Sequence, residues 1–422
     1  MFKRIQRPDG SVIILAPKKD TKAVTFQVLY KVGSRNEGPS INGASHFVEH
    51  LMFKGTKKRP NTKIISRELD GIGAMYNAFT GKDHTGYYIK ADATHLELAI
   101  DVLSDMLRHS IFDPKEVEKE RGVIIEEINM YEDNPMMHIE DMFEELVYKG
   151  TPLARPIAGP REVIKKVSRD SLHNYKQKFY YPGNMVLGLA GAFDEVKAER
   201  LLKRYLPIEK KLTNKFLNPR AKFKQNSPRV KIAVKNVEQV QAILGFPGLH
   251  LRHKDLPALM VLANILGGNM SSRLFINVRE RQGLCYSIRA SADSNEDLGT
   301  FYVASGLDKK RLIPALELIK SELNRIKKIP VTSEELKRAK ENIRGTSILR
   351  LESASTYLAY LQTQELLLNK IETLEEKLAK IQQVTRADVL RVAKHLIRWR
   401  QSNLAIIGPY KNNRQFIKLL QA

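Results

Sequence analysis

A chain of 422 residues is too long for one ordinary hydrophobic core, so two or more domains are expected. Its one cysteine, Cys285, excludes an intramolecular disulfide and a cysteine-rich metal site, and no apolar run approaches the roughly 20 residues that span a bilayer. The formal charge of +23 would suit a nucleic-acid or anionic-membrane partner, but the basic residues are spread along the whole chain without zinc-finger spacing or an aromatic-rich RNA-binding strand. A solvated, lysine-rich surface is expected instead, with no nucleic-acid partner.

In chain order, the first apolar stretch is Val12 to Ala16, bounded by Gly10 and Pro17. It reads as a short strand rather than a signal segment, which makes a cytoplasmic location the expectation. A strand from Ala23 to Tyr30 leads through a polar loop to a helix from about Asn42 to Lys54, with Asn42 as N-cap and Gly55 as stop. Tyr76 to Thr80 and Thr85 to Ala91 flank a turn at residues 81–84 and read as a hairpin. Lys115 to Glu145 has helical periodicity. The segment 209–228, EKKLTNKFLNPRAKFKQNSP, is basic and polar and contains two prolines, which marks it as a linker. Beyond it the pattern returns: a strand from Val240 to Phe246, a polar loop, a helix from about Ala258 to Leu266, and a hairpin of Ser287 to Asp293 with Gly299 to Ser305. The expectation is an internal repeat of two similar α+β domains, 1–208 and 229–422, each a mostly antiparallel sheet packed with helices.

The helix near residue 46 carries His46-Phe47-Val48-Glu49-His50. Positions i, i+3 and i+4 share one helical face, so His46, Glu49 and His50 project together while Phe47, Val48, Leu51 and Met52 cover the other sides. Two imidazoles so placed can bind one zinc ion, with the carboxylate reaching the metal-bound water; H-x-x-E-H is the inverse of the commoner H-E-x-x-H. A third ligand is available in 115–145, where Glu120 and Glu127 fall two turns apart inside an apolar stripe of Val117, Ile124, Ile128 and Tyr131. A carboxylate on a buried face wants a cation. Glu127 is therefore expected as the ligand, Glu126 turns to solvent, and Glu120 either orients a ligand histidine or forms a structural ion pair. Cys285, without an accompanying base, reads as a small packing residue.

With these residues in place, the chain resembles the pitrilysin, insulin-degrading enzyme and mitochondrial processing peptidase family over essentially its whole length. HFVEH fits the family's H-x-x-E-H, and residues 51–126, 76 in all, separate His50 from Glu127 as in that family. YKVGSRNE, HLMFKGT, YNAFTGKDHTGYY and EKERGVIIEEI also resemble it. In the second half, SSRLFINVRERQGLCYSI is similar to the segment carrying the family's substrate-binding Arg and Tyr, matched here by Arg279 and Tyr286, while ALMVLANIL stands where a second zinc motif would be.

The resemblance implies a zinc metalloendopeptidase with one zinc ion per chain held by His46, His50 and Glu127, and an inactive second domain. Glu49 would take a proton from a zinc-activated water and pass it to the leaving amine, with Tyr286 helping to stabilise the oxyanion and Arg279 holding a substrate carbonyl. It also implies that the strand carrying Tyr76, Asn77, Ala78 and Phe79 holds an extended peptide substrate by main-chain pairing. Half-length relatives form dimers enclosing a chamber, and since this chain carries both the zinc motif and the Arg and Tyr, a homodimer acting on small or unfolded polypeptides is expected. The alternative is a non-catalytic scaffold or processing-complex subunit of the same family.

Overall fold

A computed structural model of the chain describes residues 2–208, 216–218 and 220–421. The first half runs β1 (Lys3–Gln6), β2 (Val12–Pro17), β3 (Ala23–Tyr30), α1 (Ala44–Met52), α2 (Thr62–Asp70), β4 (Met75–Thr80), β5 (Thr85–Asp92), α3 (Leu96–His109), α4 (Pro114–Asp133), α5 (Pro135–Val147), α6 (Arg161–Ile164), α7 (Arg169–Phe179), β6 (Met185–Gly191) and α8 (Glu195–Tyr205). The second runs β7 (Arg229–Val234), β8 (Gln239–Pro247), α9 (Leu256–Gly267), β9 (Cys285–Ser294), β10 (Gly299–Asp308), α10 (Leu312–Lys328), α11 (Ser333–Leu351), α12 (Ala354–Leu368), α13 (Leu374–Gln383), α14 (Arg386–Leu396), β11 (Asn403–Gly408) and α15 (Arg414–Gln421). Of the expected linker, residues 209–215 and 219 lie outside the described residues, and 220–228 form neither helix nor strand.

The described strands form two sheets, in the orders β1-β2-β6-β3-β5-β4 and β7-β11-β8-β10-β9. In each, one parallel pair (β2 with β6, β7 with β11) interrupts an otherwise antiparallel ladder. Apart from β1, the second sheet repeats the first strand for strand. The internal repeat of two mixed α and β domains is thus visible in connectivity, where the letters diverge.

The compact units do not follow a single cut of the chain. One comprises 1–129, 155–219 and 349–372; the other comprises 130–154, 220–348 and 373–422. The difference from a division at 209–228 lies in two helices. In the first unit, Leu358, Leu361 and Leu366 of α12 cover Val12, Ile14, Leu29 and Val186 on one sheet face. Gln362 Nε2 donates to Gln27 O at 3.1 Å and Val186 O at 3.0 Å, and a Cβ at Gly188 would stand 2.5 Å from the Gln362 amide carbon, so glycine permits the approach. In the second unit, Ile139, Met142 and Phe143 of α5 cover Ile243, Tyr302, Ala405 and Ile407, with Phe143 lying over Gly245. Each half of the chain therefore supplies one helix to the unit built mainly from the other half.

The opposite face of the first sheet packs on α1, α3, α4, α7 and α8 through Phe26, Val28, Phe47, Leu51, Leu103, Ile124 and Leu172. The second sheet buries Leu244, Phe301 and Ile406 against α9, α10 and α14. The helix expected across 115–145 is two helices. Pro135 has no N–H to continue the ladder, α4 ends at Asp133, and Asn134 caps α5 by accepting from Met136 N at 3.0 Å. Among the described residues no helix is long and apolar enough to cross a membrane.

Candidate metal centre

α1 has no side-chain N-cap of its own. Its N-cap residue is Gly43, at φ +101°, a conformation that suits glycine. Asn42, expected in that role, instead donates to Glu37 Oε2 at 2.7 Å and Pro156 O at 2.9 Å. The first-turn amides are met by the buried carboxylate of Glu37, which accepts from Gly43 N and Ser45 N, each at 2.7 Å. Burial pushes Glu37 up to about 7, against the pull of these hydrogen bonds.

Phe47, Val48, Leu51 and Met52 are fully buried, which turns the opposite face of α1 toward α4. There His46 Nε2 and His50 Nε2 lie 3.5 and 3.4 Å from Glu127 Oε2, and one ligand atom from each residue falls within 4.8 Å of the others. Ligands about 2.0–2.1 Å from a tetrahedral zinc ion stand about 3.4 Å apart, so the two distances to Glu127 and the donor chemistry fit that ion. Three protein donors leave a fourth position open, as catalytic zinc sites require. Glu126, rotated about 100° from Glu127 along α4, is exposed.

Glu120 lies behind the cluster with its side chain 3% exposed, accepting from His50 Nδ1 at 3.1 Å and pairing with Lys54 Nζ at 2.7 Å. The pairing with Nδ1 turns Nε2 of His50 toward Glu127, the usual arrangement for a histidine that can ligate a metal through Nε2. Glu120 thus touches both a histidine of the candidate set and a lysine. Burial works to raise Glu120, but its bonds to His50 and Lys54 outweigh it and hold it below the ordinary carboxylate range. Glu127 is held low chiefly by the hydrogen bond from His50. His46 is lowered by burial and then by its neighbour His50, while for His50 burial is outweighed by Glu120 and Glu127 and the ring is pushed up to about 9. His46 Nδ1 is buried without a hydrogen-bond partner among the described residues, unlike its counterpart in His50.

Glu49 shares the face of the two histidines, and Thr80 Oγ1 donates to its Oε2 at 2.5 Å. Burial raises its pKa, countered by Thr80 and His50. A carboxylate so raised is a better proton acceptor than an exposed one. Sequence reasoning missed Thr80, Lys54 and Glu37. Lys54 stood one turn beyond His50 and could have been read from i, i+4 spacing; Thr80 and Glu37 reach α1 only through the tertiary fold.

Thr80 closes β4, the last strand of the first sheet, which among the described residues pairs with β5 alone. Its residues alternate: Tyr76 and Ala78 pack against the core, whereas Asn77 and Phe79 are presented outward. The four residues expected to hold substrate therefore divide into two core anchors and two outward side chains. Phe79 leans over Gly86, where a Cβ would meet its ring at 2.4 Å.

Arg279 and Tyr286 lie together in the second unit. Arg279 sits on a π-helical turn, Phe275–Glu280, a geometry frequent at functional sites. Its guanidinium stands 4.8 Å from the Phe275 ring centroid and 5.6 Å from that of Tyr286, and Tyr286 is 70% exposed. Between them Cys285 is buried, its thiol pushed up to about 11 by burial and so kept protonated, as befits a packing residue.

Residues 12–161 match the family described as Insulinase (Peptidase family M16), and residues 166–343 match the Peptidase M16 inactive domain. The chain is 36% identical to the uncharacterized zinc protease YmxG of Bacillus subtilis over 98% of this chain and 99% of that one. It is 34% identical to an uncharacterized zinc protease of Streptomyces coelicolor over 97% and 90%. The fold is similar to the crystal structure of a protease from Helicobacter pylori, with TM-score 0.89, 24% identity, and coverage of 97% of this chain and 99% of that one. The chain belongs to the insulinase family of peptidases, family M16.

Proposed function

We propose that the protein is a zinc-dependent endopeptidase that hydrolyses peptide bonds of small or unfolded polypeptides. The observation that carries the reading is the convergence of His46, His50 and Glu127, with both histidines at tetrahedral-edge distance from the glutamate and Glu49 on the same helical face. Zinc in such a site supplies Lewis acidity, bringing the pKa of water to about 7 and polarising a carbonyl. Glu49 takes the proton from the attacking water and returns it to the leaving amine as the C–N bond breaks. Thr80 holds Glu49 in place, and Glu120 fixes the orientation of His50. The outer edge of β4 pairs with an extended substrate, and Arg279 and Tyr286 bind the substrate main chain and stabilise the oxyanion.

We read the working form as a cytoplasmic homodimer enclosing a chamber. This rests on the half-length chain carrying the metal set together with the Arg and Tyr. Mixing inactive His46→Ala and Arg279→Ala chains is expected to restore cleavage in mixed dimers if one chain completes the other's site; no recovery would remove the sharing.

The deciding experiment is metal content by elemental analysis on wild type and Glu127→Gln, alongside cleavage of a quenched fluorescent peptide. The expected result is about one zinc per wild-type chain, lost together with activity in Glu127→Gln. Wild type with neither zinc nor cleavage would leave the scaffold reading.

A further inference from the structure

The loop from Gly33 to Glu37 touches both working parts of the first unit. At its start, Gly33 lies so close to the β4–β5 turn that a Cβ would meet Gly81 O at 2.2 Å and Lys82 O at 2.5 Å. Ser34 N donates to Gly81 O at 3.1 Å and Arg35 N to Lys82 O at 3.2 Å. Arg35 Nη1 then donates to Asp83 Oδ1 at 2.6 Å, with both side chains almost wholly enclosed. At its end, two residues on, Glu37 receives the Gly43 and Ser45 amides and Asn42 Nδ2, each at 2.7 Å. Tyr175 ties the start of the loop to α1: its hydroxyl lies 2.7 Å from Ser45 Oγ and donates to Gly33 O at 3.4 Å. A third tie closes the frame, Lys82 Nζ donating to Arg155 O at 2.7 Å while the Arg155 guanidinium donates to Glu37 O.

We propose that this loop is a bracket setting the distance between the edge strand β4 and the metal-binding helix α1, with Glu37 the positioning residue for the helix and Arg35 for the hairpin. The proposal rests on the peptidase reading above for what β4 and α1 do. The two jobs separate because the groups differ. Glu37 meets amides in the turn that carries His46, and a carboxylate there also complements the helix dipole. The Arg35 guanidinium meets the hairpin turn at Asp83, four residues from Phe79. A displaced α1 disperses the metal ligands, whereas a displaced hairpin leaves them in place and shifts the substrate.

Four zinc-loaded proteins test it: wild type, Glu37→Gln, Arg35→Lys, and Glu365→Gln as a control. Glu365 is a buried carboxylate of α12, paired with Arg4 at 2.8 Å and remote from the bracket. Zinc dissociation is followed with a chromogenic chelator, peptide cleavage at saturating zinc, and amide hydrogen exchange over 43–52 and 75–92. Glu37→Gln is expected to weaken zinc binding about 10–100-fold and to speed exchange in 43–52. Arg35→Lys is expected to lower kcat/KM roughly 10²-fold, chiefly through KM, with zinc retained and exchange faster in 75–92. Glu365→Gln should lower the melting temperature alone. Zinc retention and exchange in Glu37→Gln equal to wild type would overturn the bracket, as would both substitutions moving all three readouts together. Should Glu37→Gln not fold, Asn42→Ala removes a donor to Glu37 and should shift zinc binding and exchange the same way, less far. The exchange pattern reads the bracket whether or not the wild type cleaves peptide, so failure of the peptidase reading is recognised separately.

Discussion

At the residue scale, the proposed mechanism depends on hydrogen bonds to the groups it uses. Thr80 makes one to Glu49, and a hydrogen bond to a charged group is worth about 1.5–3 kcal/mol. Thr80→Val should therefore lower kcat about 10–100-fold while zinc content stays at the wild-type level, measured by steady-state kinetics and elemental analysis. A second residue-scale prediction lies away from the centre. Lys176 of α7 is buried, with Nζ 3.1 Å from Ser110 Oγ and 5.7 Å from the Phe112 ring centroid, and burial pulls it from 10.5 down to about 8. Below pH 8 folded and unfolded chains both hold the proton, and the cost of the buried charge is fully present. Between pH 8 and 10.5 the unfolded chain binds more protons, so stability rises with pH, by about 3 kcal/mol in all, and above 10.5 the cost is gone. Lys176→Met should be more stable at pH 7 and should lack this rise in denaturant melts. The histidines, Glu49 and Glu127 were legible because helical spacing is a local property; Glu120 was legible as a group with two alternatives. Thr80 and Glu37 were not, since nothing in their neighbourhood encodes the helix they meet.

At the element scale, α1, β3 and both hairpins could be read from periodicity and turn residues, and β3 ends where the pattern ended, at Ala23 and Tyr30. The break at Pro135 was lost because the apolar spacing continues through it while the backbone cannot. β4 carries its own prediction. Successive residues of an edge strand point their N–H groups alternately toward the neighbour and outward. Of Asn77→Pro and Ala78→Pro, the variant that removes an outward N–H should raise KM with an unchanged melting temperature, and the one that removes a ladder bond to β5 should lower the melting temperature. If neither changes KM, substrate does not pair with this strand.

At the scale of the whole molecule, the pattern of the halves showed two similar domains but not the exchange of α5 and α12. Helical periodicity tells which face of a helix is apolar, never which sheet it covers. One signal was present. The segments that form β2 and β6, VIILAP and MVLGLAG, are nearly continuous apolar runs, the mark of a strand covered on both faces, which calls for a second helical layer without naming its source. Cutting the chain in the linker should accordingly give fragments 1–219 and 220–422 that each bare one apolar sheet face. Each alone should bind a hydrophobic dye and melt without cooperativity, and mixing or co-expression should abolish dye binding. Two fragments that each melt cooperatively would contradict this. The exchange also has a consequence during synthesis. When the ribosome has finished the first sheet at Gly191, the helix that covers it, ending at Leu368, has yet to be made. At about 5–20 residues per second that face stays bare for on the order of ten seconds or more, so the nascent chain is a client for whatever shields apolar surface at the exit tunnel.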